Sequence, residues 1–477
     1  MGQEIADSHF TRADFDAFAE RLRAETELLV QWFRDDGFSR LDRVVGFELE
    51  AWLTDESGNA APVNDRLLER MNDPLVVPEL ARFNVEINGD PQPLAGRPFS
   101  AMQADMARTW GRCQKVGSEL GVQLMMIGIL PTVREDQLTQ ACMSDMKRYE
   151  ALNEQVLRQR GGEPLHLDIR GQDHLTSDHH DVMLESATTS FQIHYKVAPE
   201  RAVRVYNLAQ ILSGPMVAVS ANSPFLFGAD LWDETRIPLF EQSVELGGFE
   251  DAAHGPVRRV SFGSGYARES LGECFVENLR HFPVLLPTRL DAPPEALACV
   301  RLHNGTIWRW NRPLIGFDSD GRPHLRIEHR VVPGGPTIID AVANAALFCG
   351  LVEFFSGTEV APELQLPFPV ARDNFYACAR AGLDAQVAWL DGRRGAVLDL
   401  LLDRLLPAAH RGLEALDITE DERTTWLAVI EGRLCNRCNG AAWQRAWVAR
   451  HGPDMQGLTL AYRERQDSGL PVHQWDF

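Results

Sequence analysis

The sequence predicts an α+β fold: an antiparallel sheet with one face laid on helices and the other turned toward a solvated cleft, followed by a helical C-terminal subdomain. Three observations carry this expectation. Four short stretches alternate apolar and polar residues with a period of two, the pattern of strands buried on one face only, whereas parallel strands covered on both faces read as continuous apolar runs. Between them lie segments whose apolar residues recur at helical spacing. Past the Pro-rich stretch Pro362 to Pro369, residues 372–450 look helical throughout, with Leu398, Leu401, Leu402 and Leu405 at core spacing.

The elements follow in order. Phe15, Phe18, Leu22, Leu29 and Phe33 form an apolar stripe that predicts an amphipathic helix over 14–36. In the first strand, Val44 to Leu53, Val45, Phe47, Leu49, Ala51 and Leu53 face one way and Gly46, Glu48, Glu50 and Trp52 the other. A second, Arg82 to Asn88, sets Phe83, Val85 and Ile87 against Asn84, Glu86 and Asn88. Helical patterns occupy 99–120, 141–160 and 200–220. The third strand alternates Phe191, Ile193, Tyr195 and Val197 with Gln192, His194 and Lys196, and the fourth alternates Leu325, Ile327, His329 and Val331 with Arg326, Glu328 and Arg330. An apolar helix over 338–355 closes the body, which places a domain boundary between 1–365 and 366–477.

Length and charge narrow the function. A chain of 477 residues holds a large core, and 44% hydrophobic with 24% charged residues is ordinary globular composition. The formal charge of -21, from 47 Lys+Arg against 68 Asp+Glu, repels a polyanion and argues against a nucleic-acid partner. A small anion such as ATP stays open, because cations and a few arginines invert the field inside a cleft. The stretch Ile338 to Phe355 contains Asp340, Asn344 and Glu353, which fit a buried helix better than a membrane span. No basic segment followed by an apolar run opens the chain, so the expected location is cytoplasmic.

Eight cysteines are sparse, and Cys435 with Cys438 form a CxxC pair without a second pair at finger spacing. The segment Asp173-His174 with Asp178-His179-His180-Asp181 has zinc-like composition but reads as an exposed loop. The strands offer a stronger signal. Glu48 and Glu50 share a strand face about 7 Å apart, a spacing that lets each approach a different cation. If Glu86 and Glu328 fall beside them, four carboxylates repel unless cations or protons neutralise them, and hard oxygen ligands select Mg2+ or Mn2+. The plain alternative for a lone Glu-x-Glu is a solvated strand face. Gln192 and His194 could complete such a site or hold a phosphate, and Arg326 and Arg330 supply planar donors for phosphoryl oxygens.

These residues have a resemblance. Leu325-Arg326-Ile327-Glu328-His329-Arg330-Val331-Val332-Pro333 resembles the Arg-Ile-Glu-x-Arg-x-Pro segment of glutamine synthetase-like enzymes, and Gly46-Phe47-Glu48-Leu49-Glu50 looks like their first catalytic strand. Phe83 to Gly89, Ser190-Phe191-Gln192-Ile193-His194 and Ala221-Asn222-Ser223-Pro224-Phe225 resemble, in order, the glutamate-cysteine ligase (gamma-glutamylcysteine synthetase) branch, over residues 40–350. One departure is Gly334-Gly335-Pro336, where relatives often carry a metal-binding Asp.

The resemblance implies a glutamine synthetase-like sheet and an ATP-dependent carboxylate-amine ligase of glutathione biosynthesis. The side-chain carboxylate of glutamate would be activated by ATP as an acyl phosphate and captured by an amine, most readily cysteine. Glu48, Glu50, Glu86 and Glu328 are then assigned to Mg2+ or Mn2+, Gln192 and His194 to metal or phosphate, Arg326 to ATP and Arg330 to the transferred phosphoryl. Asn222 and the arginines flanking Phe262-Gly263-Ser264-Gly265-Tyr266, Arg258 and Arg268, are candidates for the substrate. The partners expected are small molecules, with no nucleic acid and no membrane, and a homo-oligomer is left open. A phosphotransferase, or a silent regulatory protein keeping the fold, are the competing readings.

Overall fold

The computed structural model describes residues 4–41, 43–246 and 258–476. Its centre is a curled antiparallel sheet of eight strands: β1 (Val44–Thr54), β2 (Val76–Pro78), β3 (Asn84–Asn88), β4 (Gln92–Pro93), β5 (Gln123–Met125), β6 (Phe191–Val197), β7 (Asn311–Phe317) and β8 (Pro323–His329). The order is β7-β8-β6-β1-β3-β2, and β4 and β5 both pair with the long β1. The period-two reading finds four of these strands. The other four lacked it: β2, β4 and β5 are two or three residues long, and β7 carries Arg312 and Pro313 in a run that does not alternate.

One sheet face is the core. Val45, Phe47, Leu49, Ala51 and Leu53 of β1 are buried on it, and the helices Pro199–Ser220 and Ile338–Ser356 cover that side. His329 belongs to this face too, stacked on Phe348 at 4.1 Å with Nδ1 against Asn311 Oδ1 at 2.7 Å. The Ile338–Ser356 helix is apolar around its circumference, as a helix enclosed on all sides must be. It is the one described helix long and apolar enough to cross a membrane, and it lies mostly buried between the sheet and the helices Leu406–Ala415 and Glu420–Cys435. There the backbones nearly touch: a Cβ on Gly412 would sit 1.8 Å from the Gly350 carbonyl oxygen, so only glycine fits.

Buried polar bonds tie the C-terminal helices to the body. Arg433 donates to Asp340 Oδ1 at 2.8 and 3.1 Å and to Asn344 Oδ1 at 2.7 Å. The C-terminal region is not helical throughout, because Gln386–Ala388 and Arg394–Ala396 form a small hairpin. Trp443, Tyr462 and Trp475 pack edge to face as core. The His-rich segment is a hairpin, Leu165–Arg170 with His174–His179, in place of the expected loop. Its exposed side chains pair with each other, His166 with Asp178 at 2.7 Å and His174 with Asp168 at 2.9 Å.

Candidate active site

Register assembles the site. Glu50 lies opposite Glu86, Glu48 opposite Gln192, His194 opposite Glu328, and Glu328 opposite Arg312. Directly opposed residues bring their Cβ atoms to about 5 Å, so the alternation read from four separate segments becomes one continuous polar patch. The patch is roofed, not open to solvent as the sequence suggested: Glu48 is 6% exposed, Glu86 3%, His194 7% and Glu328 0%.

Two groups of potential metal ligands form on it. Glu48, His194 and Glu328 offer atoms all within 4.8 Å of one another, and so do Glu50, Glu79 and Glu86. Nε2 of His194 is buried without a hydrogen-bond partner, 3.4 Å from Glu48 Oε1 and 3.9 Å from Glu328 Oε1. A buried imidazole nitrogen left unbonded between carboxylates is what a divalent cation would satisfy, and the donor set suits Mg2+ or Mn2+. In the second group burial raises the pKa of Glu79 well above its ordinary value and that of Glu86 above it, and repulsion among the carboxylates adds to both. Glu50 is raised too by burial, against the pull of Arg330 and Ser190.

The neighbouring bonds hold these groups in place. Glu50 accepts from Ser190 N at 2.7 Å, Ser190 Oγ at 2.9 Å and Gln192 Nε2 at 2.9 Å, and Glu86 accepts from Asn88 Nδ2 at 2.8 Å. Arg312 grips Glu328 with two donors, Nε at 2.8 Å and Nη2 at 2.9 Å. Arg330 donates to Glu328 Oε2 at 3.1 Å and to Gln192 Oε1. Although burial opposes charge on Glu328, Arg312 and Arg330 hold its pKa down to about 2. Gln192 thus bridges an acid and a cation.

Two cavities meet at this patch and share Glu48, Arg148, Gly305 and Arg312. The smaller, about 120 Å3, is lined by Arg301 and Arg326 beside Phe275, Leu286 and Ile315. Among the described residues neither arginine has an ion-pair partner, and Nε of Arg326 is buried without a hydrogen bond. The larger, about 270 Å3, holds the Glu50, Glu79 and Glu86 group, Glu185, and an apolar wall that includes Tyr149, Leu152 and Trp308.

Three predicted substrate residues stand elsewhere. Asn222 is fully buried as a clasp: its Nδ2 donates to Gly334 O and Tyr462 Oη, both at 2.8 Å, its N donates to Glu234 Oε2, and Gly440 packs so closely that a Cβ there would meet its Oδ1 at 1.9 Å. No atom of it is left for a ligand. Arg258 lies outside both cavities, paired with Glu245 at 3.1 Å. Arg268 is exposed in a loop capped by Glu273, and Ser264 and Tyr266 of the Gly-Ser-Gly loop bond to Glu277 and Leu366, away from the patch. Cys435 and Cys438 belong to neither potential ligand group.

Sequence reading missed Glu79, Arg148, Glu185, Arg301 and Arg312. Arg148 lies over the Tyr149 ring at 5.0 Å and has no ion-pair partner among the described residues. Only Arg312 had a findable signal, since Asn311 to Phe317 precedes β8 at hairpin distance.

Two carboxyls set a pH dependence of stability. Burial, with repulsion from Glu50, pushes Glu185 up to about 8, and burial pushes Glu241 up to about 7 against hydrogen bonds from Trp310 and Tyr376. A carboxyl with a raised folded pKa keeps its proton in the fold after the unfolded chain has lost it, so stability falls as pH rises toward the folded value. Below about 6.5 the buried neutral His303, pulled down to about 4, and His329, to about 3, act in the opposite sense. Between pH of about 6.5 and 8.5 the metal-free protein is therefore expected to lose a few degrees in Tm. A flat or rising Tm across that window would contradict this.

The fold and its acid-lined face together define a candidate catalytic sheet. The chain belongs to glutamate-cysteine ligase family 2, whose model matches residues 44–463. A Frankia alni protein named provisionally as glutamate-cysteine ligase 2-1 is 25% identical over 294 residues, which cover 59% of this chain and 64% of that one, so the match spans less than two thirds of the relative. The crystal structure of glutamate-cysteine ligase from Francisella tularensis in complex with AMP superposes with a TM-score of 0.55 at 10% identity, covering 91% of this chain and 89% of that chain. That likeness is one of fold. A bifunctional glutathione synthetase from Pasteurella multocida gives 0.49 at 12% identity, over 94% of this chain and 54% of its own.

Proposed function

We propose that the chain is an ATP-dependent carboxylate-amine ligase that joins the gamma-carboxylate of glutamate to an amine through an acyl phosphate. The observation that carries this reading is the pair of carboxylate groups side by side on one sheet face, flanked by an arginine-lined cavity and a second cavity for organic substrates. Arg301 and Arg326 are suited to the polyphosphate of ATP, and the AMP bound to the Francisella tularensis relative supports a nucleotide as ligand. Glu48, His194 and Glu328 would hold one divalent cation and Glu50, Glu79 and Glu86 another, and Mg2+ or Mn2+ bound there supplies charge neutralisation for phosphoryl transfer.

The chain's own residues do the positioning. A carboxylate is a poor electrophile, so its activation needs the donor oxygen in line with the terminal phosphorus. Arg330, fixed by Gln192 and Glu328 beside both carboxylate groups, presents a planar pair of donors to the phosphoryl oxygens. Burial of Glu48, Glu86, His194 and Glu328 limits the access of water to the acyl phosphate. With cysteine as acceptor the reaction would belong to glutathione biosynthesis in the cytoplasm.

The test is interception. With ATP, Mg2+ and glutamate, hydroxylamine is expected to yield the glutamyl hydroxamate, and omission of ATP or glutamate to abolish it. ATP consumption with no hydroxamate or amide from glutamate or a panel of other carboxylates would sink the ligase reading.

A further inference from the structure

The segment Ala221 to Pro224 stands outside both cavities, yet its polar atoms lead to the arginine assigned to the phosphoryl group. Asn222 N donates to Glu234 Oε2 at 2.8 Å, and Glu234 Oε1 accepts from Arg236 Nε at 3.0 Å. Ser223 accepts twice from the same stretch: its Oγ takes Arg236 N at 3.2 Å and its carbonyl takes Thr235 N at 3.1 Å. Asn222, Ser223 and Glu234 are fully buried, and Arg236 is 2% exposed. The Arg236 guanidinium also lies over the Trp310 ring, 5.2 Å from its centroid. An acid on one side and an aromatic face on another leave such a planar group little freedom.

The second terminal nitrogen of Arg236 meets the backbone of the site. Nη2 donates to Val331 O at 2.6 Å and to Arg330 O at 3.3 Å. These carbonyls lie just past β8, which ends at His329, and pairing with β6 resumes at Val332, whose carbonyl takes Phe191 N at 2.9 Å. Between those points Arg236 supplies the donor for both carbonyls, while Arg330 N is held by Trp310 O at 3.0 Å. A buried carbonyl that loses its donor is costly, so a chain freed there would move to find another. The Arg330 side chain starts from this backbone to reach Gln192 and Glu328.

We propose that Arg236 is a positioning residue for phosphoryl transfer: on the ligase reading above, it fixes the backbone from which Arg330 reaches the transferred group, and Asn222, Ser223 and Glu234 hold it in that place. Arg236 acts through Arg330 and touches no substrate. A misplacement of about 1 Å caused by a residue away from the chemistry costs on the order of 100-fold in rate. The buried motif around Asn222, which reaches neither cavity, thereby has a role in the reaction.

The test is a double-mutant cycle on activity in the full-length protein with ATP, Mg2+, glutamate and hydroxylamine, comparing the parent, Arg236→Lys, Arg330→Lys and the double variant. Rates are referred to the folded fraction, read from near-ultraviolet circular dichroism. Arg236→Lys keeps the charge but cannot span Glu234 and both carbonyls, and it is expected to lower kcat for hydroxamate about 10- to 100-fold with KM for ATP and glutamate within about threefold. Because both residues act on one contact, the double variant is expected to fall no more than about threefold below the slower single variant. A merely structural role makes the two losses multiply, and that result overturns the proposal. So does a near-parental kcat for folded Arg236→Lys, and so does a loss confined to KM for glutamate, which would make Arg236 a substrate contact. If Arg236→Lys does not fold, Glu234→Gln, which keeps the shape of the side chain that holds Arg236, enters the same cycle with the same criterion. No hydroxamate from the parent defeats the ligase reading and this role with it, whereas an active parent with multiplying losses defeats this role alone.

Discussion

Glu79→Ala and Glu86→Ala are each expected to lower ATP-dependent turnover by about 10^2 to 10^3-fold, the scale of removing one preorganised electrostatic element from a site, while the metal-free fold melts no lower than the parent's. The two effects have one cause. Both carboxyls line a cavity, so truncation widens an existing space and opens no void in the core. Both carry pKa values raised by burial and by neighbouring carboxylates, which means that at neutral pH they oppose the fold. Without a cation, removing either relieves repulsion, and with one bound they become its ligands. Thermal melts with and without Mg2+ separate the contributions: the parent gains stability from the ion by mass action, and the variants lose most of that gain. Near-parental turnover by folded Glu79→Ala and Glu86→Ala proteins would remove the second carboxylate group from the mechanism.

Glu79 also marks where sequence reading stopped. Glu48, Glu50, Glu86 and Glu328 were legible because each sits inside a stretch whose alternation tells which face it takes, and register then sets them side by side. Glu79 follows a strand of three residues, too short for a period to show. Arg148 and Glu185 sit at the start of a helix and in a short helical turn, reaching the patch through tertiary packing that no local pattern encodes. Asn222 failed differently: its motif reads as a loop beginning, and the loop is real, but its amide is consumed by Gly334, Tyr462 and Gln444 from distant parts of the chain. The solvated face was mistaken for the same reason, since alternation reports polarity and a roofed catalytic face is as polar as a wet one.

Arg312→Met is expected to destabilise the protein by about 3–5 kcal/mol, the usual result of stripping one partner from a buried ion pair. Arg312 and Glu328 are both nearly inaccessible, and two donors at 2.8 and 2.9 Å satisfy both carboxylate oxygens. Loss of the guanidinium leaves Glu328 with Arg330 at 3.1 Å and a neighbouring imidazole in place of its bidentate partner. Its pKa should rise from about 2 toward the ordinary range, so the variant gives up stability that the parent keeps above that value. The double variant Arg312→Met with Glu328→Leu removes both charges together and replaces them with apolar bulk, which is often neutral for buried pairs. It is expected to regain most of the lost stability and none of the turnover, because Glu328 is also a proposed cation ligand. The double-mutant cycle therefore divides structure from function at one residue. Denaturant unfolding of the four proteins measures the coupling, and turnover measured alongside gives the rest. A double variant no more stable than Arg312→Met would mean that the pair does not act as a unit, and a double variant that regained activity would take Glu328 out of the metal site.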